Sequence, residues 1–154
     1  MGSWPPGGGG ALTARADTVS QQLATTNLST TGSTFTPWVA LIPSVGADLL
    51  LTSVSALCAD YGTAGDAARD RNVFVDVGVG VAGAETAVAS VVLKAEVPPS
   101  FLGLFIREGV NLSIPQRVSA GRRLSVRLQC PPLTALTGFS ITVGYVPTSA
   151  IEGL

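Results

Sequence analysis

This sequence of 154 residues contains no histidine, two cysteines, one methionine and few charged side chains (9 basic and 10 acidic). The absence of histidine removes the usual general base and the commonest metal ligand, so an ordinary Ser–His–acid triad is excluded. Charged residues make up 12% of the chain, about half of the usual ~25%. The net charge of −1 gives no strong field that would attract nucleic acid or a membrane surface. We therefore expect a non-enzymatic protein that binds neither.

Long apolar runs are also missing, although 46% of the residues are hydrophobic. No run approaches the ~20 apolar residues that a membrane-spanning helix needs. A chain so apolar and so poor in charge is expected to bury much of its surface against other chains, because obligate interfaces resemble a domain core cut in half and are depleted in charge. The alternative is a tightly packed monomer with a surface of Ser, Thr and Gly.

The residue types that bind metals or form disulfides are sparse. Cys58 and Cys130 lie far apart, outside any C-x-x-C pattern or Cys/His cluster, so no zinc site is expected. Each ends an apolar stretch, which favours two buried free thiols over the alternative of a disulfide. Asp60, Asp66 and Asp70 fall in or beside one loop, but their spacing lacks the ligand rhythm of a calcium loop. No metal or cofactor is predicted.

Residues 1–32 differ in composition from the rest of the chain. Four consecutive glycines at 7–10 form a flexible hinge, and the spacing of Val19 and Leu23 suits a short helix over residues 20–24. We expect residues 1–32 to form an extended N-terminal arm that becomes ordered on a neighbouring subunit; the alternative is a disordered tail. The apolar anchors that favour docking are Trp4, Leu12, Val19, Leu23 and Leu28.

From residue 33 onward the pattern is that of β-structure. Segments rich in β-branched residues alternate with Gly, Pro and Asp breaks about every 8–12 residues, as in a sandwich or barrel. Alternation of apolar and polar residues, typical of half-buried strands, is clearest over 73–81, 123–129 and 139–146. We predict an all-β domain at residues 33–154, an eight-stranded jelly-roll-like β-sandwich. The predicted strands are 34–42, 48–59, 72–81, 87–96, 102–107, 111–114, 123–129 and 139–146.

A G-x-G-x-x-G pattern occurs at Gly78, Gly80 and Gly83, after a strand-like run. A dinucleotide-binding fingerprint must open a helix and reach a second strand within about 30 residues. Residues 84–89 are too short for that helix. We interpret the glycines as a bulged strand end that leads into a hairpin.

Four arginines lie near the sixth and seventh predicted strands: Arg117, Arg122, Arg123 and Arg127. A phosphate-binding site would need a groove or an aromatic platform, and no aromatic residue occurs in this stretch. Because arginine suits bidentate pairing at interfaces, we expect salt bridges between subunits, with nucleic acid as the lesser alternative.

Residues 112–129, LSIPQRVSAGRRLSVRLQ, resemble the I-P-x-x-x-x-A-G-x-R-[IL]-x-x-R-x-Q run of β-sandwich structural proteins of tailed bacteriophages. The match is moderately specific, and the following strand, which ends in Gly144 and Tyr145, also suits that pattern. The resemblance implies a virion component such as a capsid decoration (cement) protein; proteins of this kind are often jelly-roll trimers with arms that clamp neighbouring subunits. The matching positions are Ile114, Pro115, Ala120, Gly121, Arg123, Leu124, Arg127 and Gln129.

We therefore expect a virion protein on the capsid exterior or the tail, made in the host cytoplasm. Its expected partners are itself, as a homotrimer, and the major capsid protein or another virion protein. One alternative is a tail, fibre or baseplate adaptor, with receptor or glycan binding through exposed aromatics, although Trp38 and Tyr145 look like core residues. A hydrolase with paired carboxylates is the third hypothesis, and no motif supports it.

Overall fold

The computed structural model describes residues 22–28, 34–60, 71–95, 104–130 and 139–151. These residues form eight β-strands and one short 3₁₀ helix, Thr148–Ala150. The strands are β1 (Gln22–Leu28), β2 (Val39–Ile42), β3 (Leu49–Asp60), β4 (Arg71–Gly80), β5 (Thr86–Ala95), β6 (Leu104–Val118), β7 (Arg123–Gln129) and β8 (Phe139–Pro147).

The strands build two antiparallel four-stranded sheets: sheet A, in the order β1-β8-β3-β6, and sheet B, in the order β2-β7-β4-β5. Four of the pairs, β1 with β8, β2 with β7, β3 with β6 and β4 with β5, are arranged symmetrically about the β4–β5 hairpin. The chain is thus one long two-stranded ribbon, with its tip at that hairpin, folded over into two sheets. The prediction of an all-β sandwich is confirmed.

The core lies between the two sheets because the strands alternate with a period of two. On β4 the side chains of Val73, Val75 and Val77 are fully buried, and those between them belong to the opposite face. Complete burial of one such side chain is worth roughly 1.5–3 kcal/mol. The matching positions on β7 and β8 join the same cluster: Leu124, Val126, Leu128, Phe139, Ile141 and Val143.

Strand β1 corrects the sequence-based expectation for the residues before 33. Gln22 lies opposite Tyr145 and Leu28 opposite Phe139, so β1 is an edge strand of sheet A. Leu28 belongs to the core cluster. The short helix predicted over 20–24 is wrong where the structure describes it, because pairing with β8 and burial of Leu28 outweigh an i, i+4 spacing. Trp4, Leu12 and Val19 lie outside the described residues.

Strand β6 is continuous where two strands were predicted. It runs without interruption through residues 108–110, which separate the predicted strands 102–107 and 111–114. Its partners on β3 change from Ser53, opposite Asn111, to Leu51, opposite Gln116, so four residues of β6, 112–115, lie across from the single residue Thr52 of β3. The end of the predicted strand 111–114 is therefore the site of a large bulge within β6. Proline is tolerated there because β6 is an edge strand of sheet A.

The three glycines of the G-x-G-x-x-G pattern each have a steric or conformational role. The β4–β5 register shifts between Val77 and Gly78, and a Cβ on Gly78 would come within 2.6 Å of the Trp38 ring. A Cβ on Gly80 would come within 2.6 Å of a backbone carbonyl oxygen in the turn, and Gly83 has φ +82°. The interpretation as a bulged strand end entering a hairpin is confirmed.

Replacing Gly78 with alanine should destabilise the fold, because the added methyl group overlaps the Trp38 ring. Overpacking of this kind costs about 1–3 kcal/mol, measured as the free energy of unfolding in urea. Gly46→Ala is the matched control, since nothing lies within 4 Å of a Cβ at that position; it should change stability by less than about 0.5 kcal/mol. Equal stability of the two variants would contradict the steric role of Gly78.

Candidate functional site

The outer face of sheet B carries a charged cluster around Arg127. The Arg127 Nε and Nη2 atoms donate to Asp76 Oδ2 at 2.9 and 2.8 Å. The other carboxylate oxygen, Oδ1, accepts a hydrogen bond from Ser90 Oγ at 2.7 Å. Asp76 is 6% exposed, so its charge is removed from water and needs these donors. The pair therefore links β7, β4 and β5 across the sheet.

Two aromatic rings complete this cluster. The guanidinium carbon of Arg127 lies 4.4 Å from the ring centroid of Phe35 and 4.4 Å from that of Trp38, within cation–π range. Trp38, which looked like a core residue in the sequence, is half-buried and contacts this outward-facing arginine. No sequence signal marked these rings, because Phe35 and Trp38 lie far from Arg127 along the chain. The pairing of β2 with β7 brings them together.

Arg123 ties the β4–β5 hairpin to β7. Its Nε lies 3.1 Å from Glu85 Oε1 and donates to Ser125 Oγ at 2.9 Å. Glu85 Oε2 accepts the backbone N–H of Gly83 at 2.9 Å. The Glu85 carboxylate, whose side chain is fully buried, therefore holds the hairpin turn and the arginine together.

Asp48 connects three separate segments at one end of the sandwich. Its Oδ2 accepts from Arg117 Nη2 at 2.7 Å, and its Oδ1 accepts from the Ala120 backbone N–H at 2.8 Å. Thr148 donates its backbone N–H and its hydroxyl to the Asp48 carbonyl oxygen at 3.0 and 3.2 Å. The Ala120 N–H and the Arg117 guanidinium stabilise the carboxylate and hold the pKa of Asp48 below its ordinary value of 3.8.

The four arginines that were predicted to form salt bridges between subunits make contacts within their own chain. Arg117, Arg123 and Arg127 each pair with a carboxylate of the same chain. Arg122 is exposed on the β6–β7 turn, where its backbone carbonyl accepts the N–H of Val45 at 2.8 Å. A role for these arginines between subunits stays a prediction.

Of the apolar anchors predicted on residues 1–32, the structure describes Leu23 and Leu28, and one is exposed while the other is buried. Leu28 is 6% exposed and lies in the core, whereas Leu23 is 62% exposed on β1. The structure also exposes large apolar side chains that the sequence pattern does not mark as exposed: Leu57, Val81, Val92 and Ile114. Ile114, at 72%, lies on the β6 bulge.

The outer face of sheet A differs from that of sheet B. Three cross-strand rows run over it from β1 to β6. The side chains that the structure describes in these rows are uncharged, and the register places Arg107 at the β6 end of the third row, opposite Leu57. In the central row, Thr25 and Thr142 share a hydrogen bond between their hydroxyls at 2.9 Å. This surface is the hydroxyl face of sheet A, and its described residues are Leu23, Gly144, Ser53, Asn111, Thr25, Thr142, Ser55, Gly109, Ser140 and Leu57.

An apolar cleft of about 300 Å³ opens where β2 and β8 end. Asp48, the charged residue in its lining, is paired with Arg117 and the Ala120 N–H. The cleft therefore offers a mainly aliphatic and aromatic surface. It is lined by Ile42, Val45, Gly46, Ala47, Asp48, Leu49, Tyr145 and Pro147.

Within the described ranges, no group of three or more His, Cys, Asp or Glu residues is placed to hold a metal ion. No helix among the same residues is long and apolar enough to cross a membrane. Cys130 is buried. Asp66, Asp70 and the side chains of Cys58 and Asp60 lie outside the described part of the chain.

No protein-family model matches this sequence, and no curated protein is similar enough to it to count as a relative.

The Asp48 junction makes stability dependent on pH in the acid range. Because the pKa of Asp48 is lowered on folding, its contribution to stability is present above 3.8 and is lost as the pH falls through the lowered pKa. Urea unfolding of the wild type and Asp48→Asn should therefore show the largest difference in unfolding free energy at neutral pH, and a smaller one in acid. A difference independent of pH would contradict the assignment.

Arg127→Lys should destabilise the sandwich although it keeps the charge. Lysine loses the two-pronged contact with Asp76 and the planar stacking on Phe35 and Trp38. We expect a loss of about 1–3 kcal/mol in the free energy of unfolding, measured in urea. Arg122→Lys, at an exposed arginine on the same hairpin, is the matched control and should change stability by less than about 0.5 kcal/mol. Similar losses in both variants would contradict the cluster's role.

Proposed function

We propose that this protein is a non-enzymatic structural subunit of a tailed-bacteriophage virion, specifically a capsid decoration (cement) protein. The observation that carries the proposal is the distribution of charge on the sandwich. Asp48, Asp76 and Glu85 are each paired with an arginine of the same chain. The described side chains on the hydroxyl face of sheet A are uncharged, and the register places one charged residue there, Arg107 at the β6 edge. Such a surface suits contact with other subunits, because interface cores are depleted in charge.

The strand order supports the same proposal. The ribbon pairs β1 with β8, β2 with β7, β3 with β6 and β4 with β5. This pairing supports the proposal of a jelly roll, a fold found in viral capsid domains, lectins and cupins. Fold alone does not specify function. The order therefore adds support only together with the charge distribution and the resemblance over residues 112–129.

The residues of that resemblance have structural roles in this chain. Ile114 and Pro115 form the β6 bulge, and Gly121 adopts φ +78° in the β6–β7 turn. Arg123 and Arg127 hold β7 to the β4–β5 region through Glu85 and Asp76. The shared pattern thus describes a bulge, a tight turn and two ion pairs, which is what a common sandwich framework would require.

A glycan- or receptor-binding role has less support from the described aromatics. Sugar binding by aromatic residues needs an accessible ring face. Trp38 has Arg127 over its ring and Gly78 against its edge, and Phe35 also contacts that guanidinium. A tail or baseplate adaptor remains the second candidate, since it would use the same uncharged surface and differ only in its place in the particle.

Mass spectrometry of the phage that encodes this chain, with heads and tails separated, tests the proposal. We expect the chain in the head fraction, at many copies per particle. Its presence in tails would favour the adaptor role, and its absence from purified particles would contradict both structural roles.

An add-back assay extends this test to residues 1–21. Deletion of residues 1–32 would also remove β1 and the core residue Leu28, so the truncation should stop before Gln22. Heads that lack the protein are incubated with wild-type or truncated chain and sedimented. We expect the truncated chain to fold and to co-sediment more weakly; equal co-sedimentation would show that residues 1–21 do not clamp the particle.

A further inference from the structure

The apolar cleft beside Tyr145 lies at one corner of the sandwich. It has a volume of about 300 Å³, and its lining includes Ile42, where β2 ends, and Pro147, where β8 ends. Its charged lining residue, Asp48, is paired with Arg117, so an apolar group that enters the cleft does not displace water from an unpaired charge. The cleft is therefore suited to an aliphatic side chain.

Strand β1 begins at the same corner. Its first residue, Gln22, lies opposite Tyr145 of β8, and β1 is in contact with β2 across the two sheets. Because neighbouring strands lie about 4.8 Å apart, the chain enters sheet A directly beside the cleft. Residues 1–21 lie outside the described residues, and the point at which they join the sandwich is thus next to a residue that lines the cleft.

The segment that precedes Gln22 carries one apolar anchor close to this point. Between Leu12 and Gln22, Val19 is the only apolar residue larger than alanine. Three residues of chain span at most about 10 Å, which is enough to reach the cleft from the start of β1. Both sequence neighbours of Val19 are polar, so the valine can be buried while they remain at the rim.

The exposed apolar side chains of the described residues belong to other surfaces of the molecule. Leu23 and Leu57 lie on the hydroxyl face of sheet A, and Val81 follows β4 in the hairpin turn. Val92 is on β5, at the edge of sheet B opposite to β2, and Ile114 is on the β6 edge of sheet A. Within one chain, the segment before β1 is therefore the apolar segment that joins the sandwich at the cleft.

Tethering also favours this segment over a second copy of the chain. A group held on a short linker beside its site has an effective concentration in the millimolar range. A side chain of another copy must instead bind from solution and lose its translational and rotational freedom. The cleft is thus filled most readily from within its own chain.

We propose that Val19 occupies the Tyr145 cleft of its own chain and anchors the N-terminal segment at this corner of the sandwich. The contact determines where residues 1–18 leave the sandwich, and it uses neither Trp4 nor Leu12, the two apolar residues proposed to contact a neighbouring subunit. Because the anchor forms within one chain, it does not depend on the proposed virion role.

Nuclear Overhauser spectroscopy of the full chain, with labelled valine methyl groups, tests the contact directly. We expect cross-peaks between the Val19 methyl protons, assigned by their loss in Val19→Ala, and the Tyr145 ring protons. Gly46→Phe should abolish these cross-peaks by filling the cleft, because Gly46 lines it and nothing lies within 4 Å of a Cβ there. Gly46→Ala, which adds only a methyl group, is the matched control and should retain them.

Urea unfolding measures the same contact as a thermodynamic coupling. Val19→Ser should raise the equilibrium constant for unfolding about tenfold or more, as expected for loss of a buried valine. Leu23→Ser, at a side chain that is 62% exposed, is the matched control and should change it less than about threefold. In the Gly46→Phe background, Val19→Ser should have no further effect, because phenylalanine already fills the cleft.

Absence of the Val19–Tyr145 cross-peaks from the wild type would overturn the proposal, as would an effect of Val19→Ser that is the same with and without Gly46→Phe. Gly46→Leu replaces Gly46→Phe if the latter does not unfold cooperatively. A mixed sample, with valine labelled in one half of the copies and tyrosine in the other, detects exchange between chains; cross-peaks there would overturn docking within one chain. Absence of the protein from purified phage particles would contradict the virion role and leave the anchor standing.

Discussion

The structure depends on the burial of one face of each sheet against the other. Val75 on β4, Val126 on β7 and Ile141 on β8 are all fully buried, and each belongs to a strand in which every second residue points inward. Burial of apolar surface is the dominant favourable term in folding. It also determines what the outer faces can carry, because the remaining residues of every strand must face outward.

The two outer faces meet that requirement differently. On sheet B, Arg127 is paired across strands with Asp76 and covered by Phe35 and Trp38. On sheet A, the described side chains of the hydroxyl face are those of serine, threonine, asparagine and leucine, while Arg107 and Arg117 lie on the edge strand β6. Only 12% of the residues are charged, and some of these, such as Asp76 and Glu85, are already paired with arginines within the chain. The proposed contacts with other subunits rest on the hydroxyl face of sheet A.

Several strands could be predicted from the sequence because their pattern is local. Residues 123–129 were predicted with the bounds that β7 has, and β8 begins at the predicted Phe139. The errors occur where the neighbouring strand, rather than the local sequence, determines whether a segment is a strand and where it ends. Residues 22–28 carry no regular alternation, and they become a strand only because β8 lies beside them. In β6, Pro115 gives the sequence signal of a strand end, but an edge strand can continue past it through a bulge.

The sequence by itself determined the all-β class, the hairpin at Gly78–Gly83 and the outward position of Arg123 and Arg127, because these follow from alternation, turn chemistry and backbone sterics between near neighbours. Only the tertiary structure decided that Asp76, Phe35 and Trp38 surround Arg127, and that Asp48 joins Arg117, Ala120 and Thr148. It also decided that Ile114 is exposed on the β6 bulge and that an apolar cleft opens beside Tyr145. Those contacts join residues far apart in the chain, and the strand order that brings them together results from folding the whole ribbon rather than from any local pattern.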